Sequence, residues 1–198
     1  PEGRRSLETV QLVTRPALSA GAGLLALGCV LGIVGGGAWA TLRPAYVGEV
    51  EGDGLRVDQA ASPVNVEFAG FGTFALISAL IGLALAVAAL GAARRGKVGG
   101  GAGWLLWAGA VSAVAVLSVY VFGDWFVGLL HPVPEADALS DGASVTMVPP
   151  VNPGAAWAVG PFSAVFVYWS ANLVAYSHDR ELKTSPANQL RTGQTPVG

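Results

Sequence analysis

Four long apolar blocks alternate with short polar connections along this chain. They run from Pro16 to Leu42, from about Phe68 to Ala93, from about Gly101 to Phe122 and from about Ala156 to Tyr176. Each approaches or exceeds the ~20 residues that carry an α-helix across the ~30 Å hydrocarbon core of a bilayer. The pattern predicts an all-α membrane protein of four transmembrane helices. Small residues recur four apart within these blocks: Gly28, Gly32, Gly36 and Ala40 in the first, Ser78, Gly82 and Ala86 in the second, Ala156, Gly160 and Ala164 in the last. Such a stripe weakens a helix in water but lets a second backbone approach closely in lipid. These residues are therefore the expected helix-packing positions.

The connections divide the chain further. Residues 1–15 carry Leu7, Val10, Leu12 and Val13 at near-helical spacing, which predicts a short amphipathic segment ahead of the first span. In the loop at 43–67, AYVGEV and LRVDQA flank Glu51-Gly52-Asp53-Gly54, a turn signal between alternating runs. This predicts a β-hairpin, with PVNVEF as a candidate third strand. A second long loop, 124–156, contains ASVTMV, whose strand character suits pairing with that hairpin to form a small cap. WFVGLL, after Asp124, either extends the third helix or lies on the membrane surface. The four-helix region with its loops covers 16–178, and 179–198 forms a polar tail.

Composition fits this reading and adds an orientation. Hydrophobic residues make up 53% of the 198 and charged residues only 12%, about half the share in a typical soluble domain. Nine of the eleven Lys and Arg residues, including Arg94, Arg95 and Lys97 in the tight turn between spans two and three, lie on the side of the two termini. Only Arg43 and Arg56 lie opposite. The terminal side then carries +5 and the loop side −7, consistent with the net −2. The positive-inside rule puts both termini in the cytoplasm and the β-cap on the opposite side of the membrane. The first block, with basic flanks and no small-residue cleavage site, reads as a retained anchor rather than a signal peptide.

Little in the sequence suggests catalysis. The four blocks hold no ionisable side chain, the usual mark of an ion pathway or proton relay. Cys29 is the only cysteine, which excludes an internal disulfide or a cysteine metal cluster. His131 and His178 fall on opposite sides of the predicted bilayer and cannot share a metal or haem. Glu49, Glu51, Asp53 and Asp58 lack EF-hand spacing. GKVGGGAG is not a phosphate-binding loop, because the required order of residues is missing. Asn172, an amide within the last span, is expected to bond to a neighbouring helix. No catalytic, cofactor-binding or metal-binding residue is assigned, and structural lipids are the only small molecules expected. The basic residues are too few for nucleic-acid binding.

The glycine-rich first span ending in WATLRP, the run VNVEFAGFGTFALISALIGLALA, the ARRGK turn and the closing PGAAWAVGPFSAVFVYW together resemble an uncharacterised family of small four-span membrane proteins from actinobacteria. That resemblance implies location and topology but no catalytic residues. The expectation is a non-catalytic accessory subunit of an inner-membrane complex, with a respiratory supercomplex as one setting. Its partners would be the bilayer and other integral membrane subunits. The alternative is a small transporter or channel component for a neutral or lipidic substrate.

Overall fold

The computed structural model describes residues 2–52, 54–132 and 140–184, excluding the side chains of 2–15, Leu55, Asp179 and 181–184. The tail beyond 184 lies outside the described residues. Helix α1 (Glu2–Leu42) is followed by strands β1 (Tyr46–Glu51) and β2 (Gly54–Val57), then helices α2 (Val66–Arg94) and α3 (Ala102–Leu130). Strand β3 (Ser144–Met147), a 3-10 turn (Gly154–Ala158) and helix α4 (Val159–Thr184) complete the chain. Four helical segments are long and apolar enough to cross a membrane: Pro16–Leu42, Val66–Arg94, Ala102–Leu130 and Gly154–His178. They point to a multi-pass membrane protein.

Two elements differ from the sequence expectation, and one boundary that the sequence left open is placed. The segment before Pro16 is not a separate helix: α1 continues through that proline for 41 residues, about 60 Å at 1.5 Å per residue. The third helix runs on through WFVGLL to Leu130, the first of the two outcomes open to that segment, and it carries Asp124 within it. PVNVEF does not form a strand. Pro63 lacks the amide that a ladder needs, and Asn65 turns left-handed (φ 59°, ψ 40°) to open α2 at Val66. Asparagine tolerates that conformation better than most residues.

The sheet has the order β2-β1-β3, antiparallel throughout. The hairpin forms where Gly52 takes a positive φ of 59°, and Gly48 is the central position, opposite Val57 on one side and Val145 on the other. The ASVTMV run thus pairs with the first loop. Asp141 accepts a hydrogen bond from the Gly52 amide at 2.9 Å, which fixes the β3 approach to the hairpin turn.

The helices alternate in direction, so one end of the bundle carries the sheet and the other carries the α2–α3 turn. Helix α1 packs chiefly on α3, and α2 chiefly on α4, with α2 and α3 also touching across the middle. Only 17% of the most apolar stretch of α1 and of α4 is buried, against 39% in α2 and α3. The inner pair is therefore α2 and α3.

Missing side chains set these crossings. A Cβ on Gly28 would lie 2.7 Å from Val111, and one on Gly32 would lie 2.5 Å from Ser118 Cβ and 2.6 Å from the Ala115 carbonyl oxygen. A Cβ on Gly36 would meet the Gly123 amide at 2.8 Å. At the α2–α4 crossing, a Cβ on Gly82 would overlap the Gly160 carbonyl, and one on Gly160 would overlap Val116 of α3. Ala40, Ser78, Ala86 and Ala164 are all fully buried. Gly23 differs, since a Cβ there meets nothing within 4 Å.

Gly32→Leu should therefore force α1 off α3 and cost about 1–3 kcal/mol or more, the range for overpacked sites. Gly23→Leu should be close to neutral. Thermal unfolding in mild detergent separates the two, and equal melting temperatures would refute the seam.

Candidate functional site

The most densely organised site lies at the sheet end, where each helical segment contributes one aromatic ring. Trp39 comes from α1, Phe74 from α2, Tyr120 from α3, and Trp157 from the turn before α4. Their centroids are 5.1 Å apart for Trp39–Phe74, 5.7 Å for Phe74–Trp157, 5.1 Å for Tyr120–Trp157 and 6.1 Å for Trp39–Tyr120. Tilted and edge-on pairs of this kind are each worth about 0.5–1.5 kcal/mol beyond their buried area. Aromatic residues near the end of a membrane helix often form a belt at the membrane surface, but Phe74 and Tyr120 do not. They turn inward instead, because Gly123 leaves a gap that Trp39 fills. The Trp39 indole N–H donates to the Gly70 carbonyl at 2.9 Å, so the ring is fixed at both ends. Phe68 and Trp125 remain exposed.

Arg43 closes this cluster, and nothing in its spacing marked it out. It follows α1 directly, and its amide bonds to the Trp39 carbonyl at 3.0 Å, extending the last helical turn. The side chain folds back so that its guanidinium carbon lies 4.5 Å from the Trp39 ring centroid. One Nη donates to the Pro149 carbonyl, and the other lies 3.6 Å from an Asp124 carboxylate oxygen. The Arg43 side chain is 2% exposed and the Asp124 side chain 65%. Burial pushes the Arg43 pKa below its usual value, and Asp124 pulls it partly back up. The guanidinium nevertheless stays charged at neutral pH. Its Nε and Nη1 have no hydrogen-bond acceptor, so the cation is held by one carbonyl, one ring face and a long ion pair. The spans are thus not wholly free of ionisable groups at this end.

Other candidate residues play more local parts. Asn172 does not bridge helices: its Nδ2 donates to the Tyr168 carbonyl at 2.7 Å, one turn back on α4. The Ser118 hydroxyl likewise returns to Val114 at 2.9 Å. Ser78 and Ser112 are buried without a partner for either hydroxyl. His131 is half-buried beneath β3 and lines a cleft of about 220 Å³ with Asp124 and Val145, while His178 is exposed at the other end. Of the acidic hairpin residues, Asp58 accepts from the Ala60 amide at 2.8 Å, and Glu51 faces Arg56 at 3.6 Å. Asp53 lies outside the described residues. Arg94, Arg95 and Lys97 are exposed around the α2–α3 turn.

The exposed side of α4 carries a second organised surface. Phe162, Phe166, Trp169, Leu173 and Tyr176 are all exposed and fall at alternating spacings of four and three. Phe162 and Phe166 stack with centroids 5.7 Å apart. The alternating spacing places all five on one side of the helix, and four of them are aromatic.

Arg43→Ala should remove the ring contact and leave the Pro149 carbonyl without its donor, at a cost of about 2–3 kcal/mol. Asp124→Asn should cost less than about 1 kcal/mol, because that carboxylate is largely solvated. Chemical or thermal unfolding of both variants tests the order, and the reverse order would show that the ion pair, not the stacking and carbonyl bond, holds Arg43.

Comparison with protein families, with curated proteins and with solved structures finds no match for this chain.

Proposed function

We propose that this protein is a non-catalytic accessory subunit of a bacterial inner-membrane assembly, a location the resemblance to the actinobacterial four-span family implies, and that α4 is its contact face. The observation that carries the reading is the five-residue seam Phe162, Phe166, Trp169, Leu173 and Tyr176, exposed along one side of α4. Spacings of three and four recur on the exposed side of α2 as well, at Leu76, Leu80, Leu83 and Val87; what sets α4 apart is that four of its five exposed residues are aromatic, the class enriched where proteins meet. The small-residue faces do not supply this support. Gly28, Gly32, Gly36, Gly82 and Gly160 are all occupied inside the bundle.

The transporter alternative fits less well. The middle of the bundle is filled where α2, α3 and α4 meet: a Cβ on Gly160 would run into Val116, Ser112 and the Ser78 carbonyl, and the four-ring cluster closes the sheet end. In this proposal both termini are cytoplasmic and the acidic sheet is extracytoplasmic, following the charge asymmetry of the connections. A respiratory supercomplex is the assembly to examine first.

Two experiments test this. The double variant Phe166→Ala/Trp169→Ala changes only exposed positions, so the isolated chain should keep its stability to within about 0.5 kcal/mol per site. Its yield of co-purifying membrane subunits after gentle solubilisation should fall about tenfold or more. A wild-type chain that always migrates alone would overturn the reading. For orientation, in a Cys29→Ala background, a membrane-impermeant maleimide should label Gln59→Cys in intact cells and leave Gly99→Cys untouched. The opposite labelling would invert the topology.

A further inference from the structure

The helices are drawn together at Gly28, Gly32 and Gly36; nearer the α2–α3 turn α1 stays tied to α3, whose Trp107 indole N–H donates to the Gly21 carbonyl at 3.3 Å, but parts from α2. There a groove of about 230 Å³ opens between α1 and α2. Gly23 and Leu27 form one wall, Ala88 the other, and Trp104 the floor, with Arg95 and Lys97 at the mouth. The Trp104 indole N–H is already committed to the Ala89 carbonyl at 3.0 Å, so the ring presents its apolar face. Among the described residues, no acidic side chain lines the groove. Along α1 the lining runs from Ser19 to Leu27, a rise of about 12 Å. One leaflet of the hydrocarbon core is about 15 Å deep.

We propose that this groove binds one anionic phospholipid, with its phosphate between Arg95 and Lys97 and one acyl chain lying along Gly23 towards Leu27. Three observations select that occupant. The two cations lie at one end of an apolar channel, the arrangement of a lipid's charge and tail. The channel is nearly as deep as one leaflet. It is also too narrow for a protein helix, which is ~10 Å across even with small side chains, so that 12 Å of helix would need several times the space. A basic pocket between transmembrane helices at headgroup level recognises anionic lipid through this combination of charge and shape. The inference depends on the bundle lying in a bilayer and not on which subunit α4 meets.

The test uses the full chain purified in mild detergent and exposed to equimolar phosphatidylglycerol and phosphatidylcholine, with retained lipid counted by native mass spectrometry. The wild type should keep one phosphatidylglycerol in preference to phosphatidylcholine. Arg95→Gln/Lys97→Gln should reduce that preference about tenfold. Arg94→Gln removes a charge from the same turn but outside the groove, and should leave the preference nearly intact. Gly23→Leu fills the channel without touching the charges, at a position where a Cβ meets nothing within 4 Å, and should also abolish retention. If Arg94→Gln weakens binding as much as the double variant, the effect is diffuse surface charge and the site is refuted. If Gly23→Leu leaves retention unchanged, the acyl channel is refuted. A folded wild type that retains neither lipid refutes both parts.

Discussion

In lipid, two helices gain nothing from hiding apolar surface from each other, because the acyl chains are equally apolar. What remains is close approach, and this fold is governed by how closely its backbones can come. At the α2–α4 crossing, Gly82 lies against the Gly160 carbonyl, and at the α1–α3 crossing, Gly36 lies against the Gly123 amide. At such separations dispersion between main-chain atoms replaces the side-chain interlock of a soluble core, and each added carbon is felt at once. The larger residues then take positions that the crossings leave over. Trp39 enters the gap above Gly123, and its neighbours Phe74, Tyr120 and Trp157 complete a ring cluster that none of them would form if α1 sat farther out.

Arg43 depends on the same geometry. A guanidinium that is 2% exposed at the end of a membrane helix has lost nearly all its water, a large penalty for a lone charge. The Trp39 face, the Pro149 carbonyl and Asp124 offset it together, and they come from α1, the segment after β3, and α3. The residue therefore ties the loop carrying β3 to the helical bundle. Its role is structural coordination between distant parts of the chain, and its charge is the means rather than the purpose.

The four helices and the three paired strands were legible because their signals are local. Blocks of hydrocarbon length, a Gly-rich turn between alternating runs and a β-branched stretch each announce themselves within a few residues. The small-residue stripes were equally plain, but which helix each one meets was not. Spacing identifies a smooth face without naming its partner, so the pairings α1 with α3 and α2 with α4 come only from the structure. Arg43 was missed for a related reason. In sequence it is one cation beside a proline, and its burial depends on Asp124, Pro149 and Trp39, which lie 81, 106 and 4 positions away. Asn172 failed in the other direction, because a carbonyl one turn back on its own helix satisfied the amide before any neighbour was needed. The aromatic face of α4 was present in the letters but hidden by surrounding apolar residues until exposure separated Phe166 and Trp169 from Ala164 and Tyr168.

The pairing of alternate helices also constrains how the chain can be made. A ribosome delivers α1, the hairpin and α2 first, yet α1 and α2 are each other's minor partners. Until α3 enters the bilayer, the glycine seam of α1 has no complement and one edge of β1 stands open. Only when β3 has been made and pairs with that edge can the two halves lock. Biogenesis is thus a sequence of waiting states, and truncation after α2 would leave a fragment with its adhesive surfaces facing outward, a natural substrate for membrane quality control.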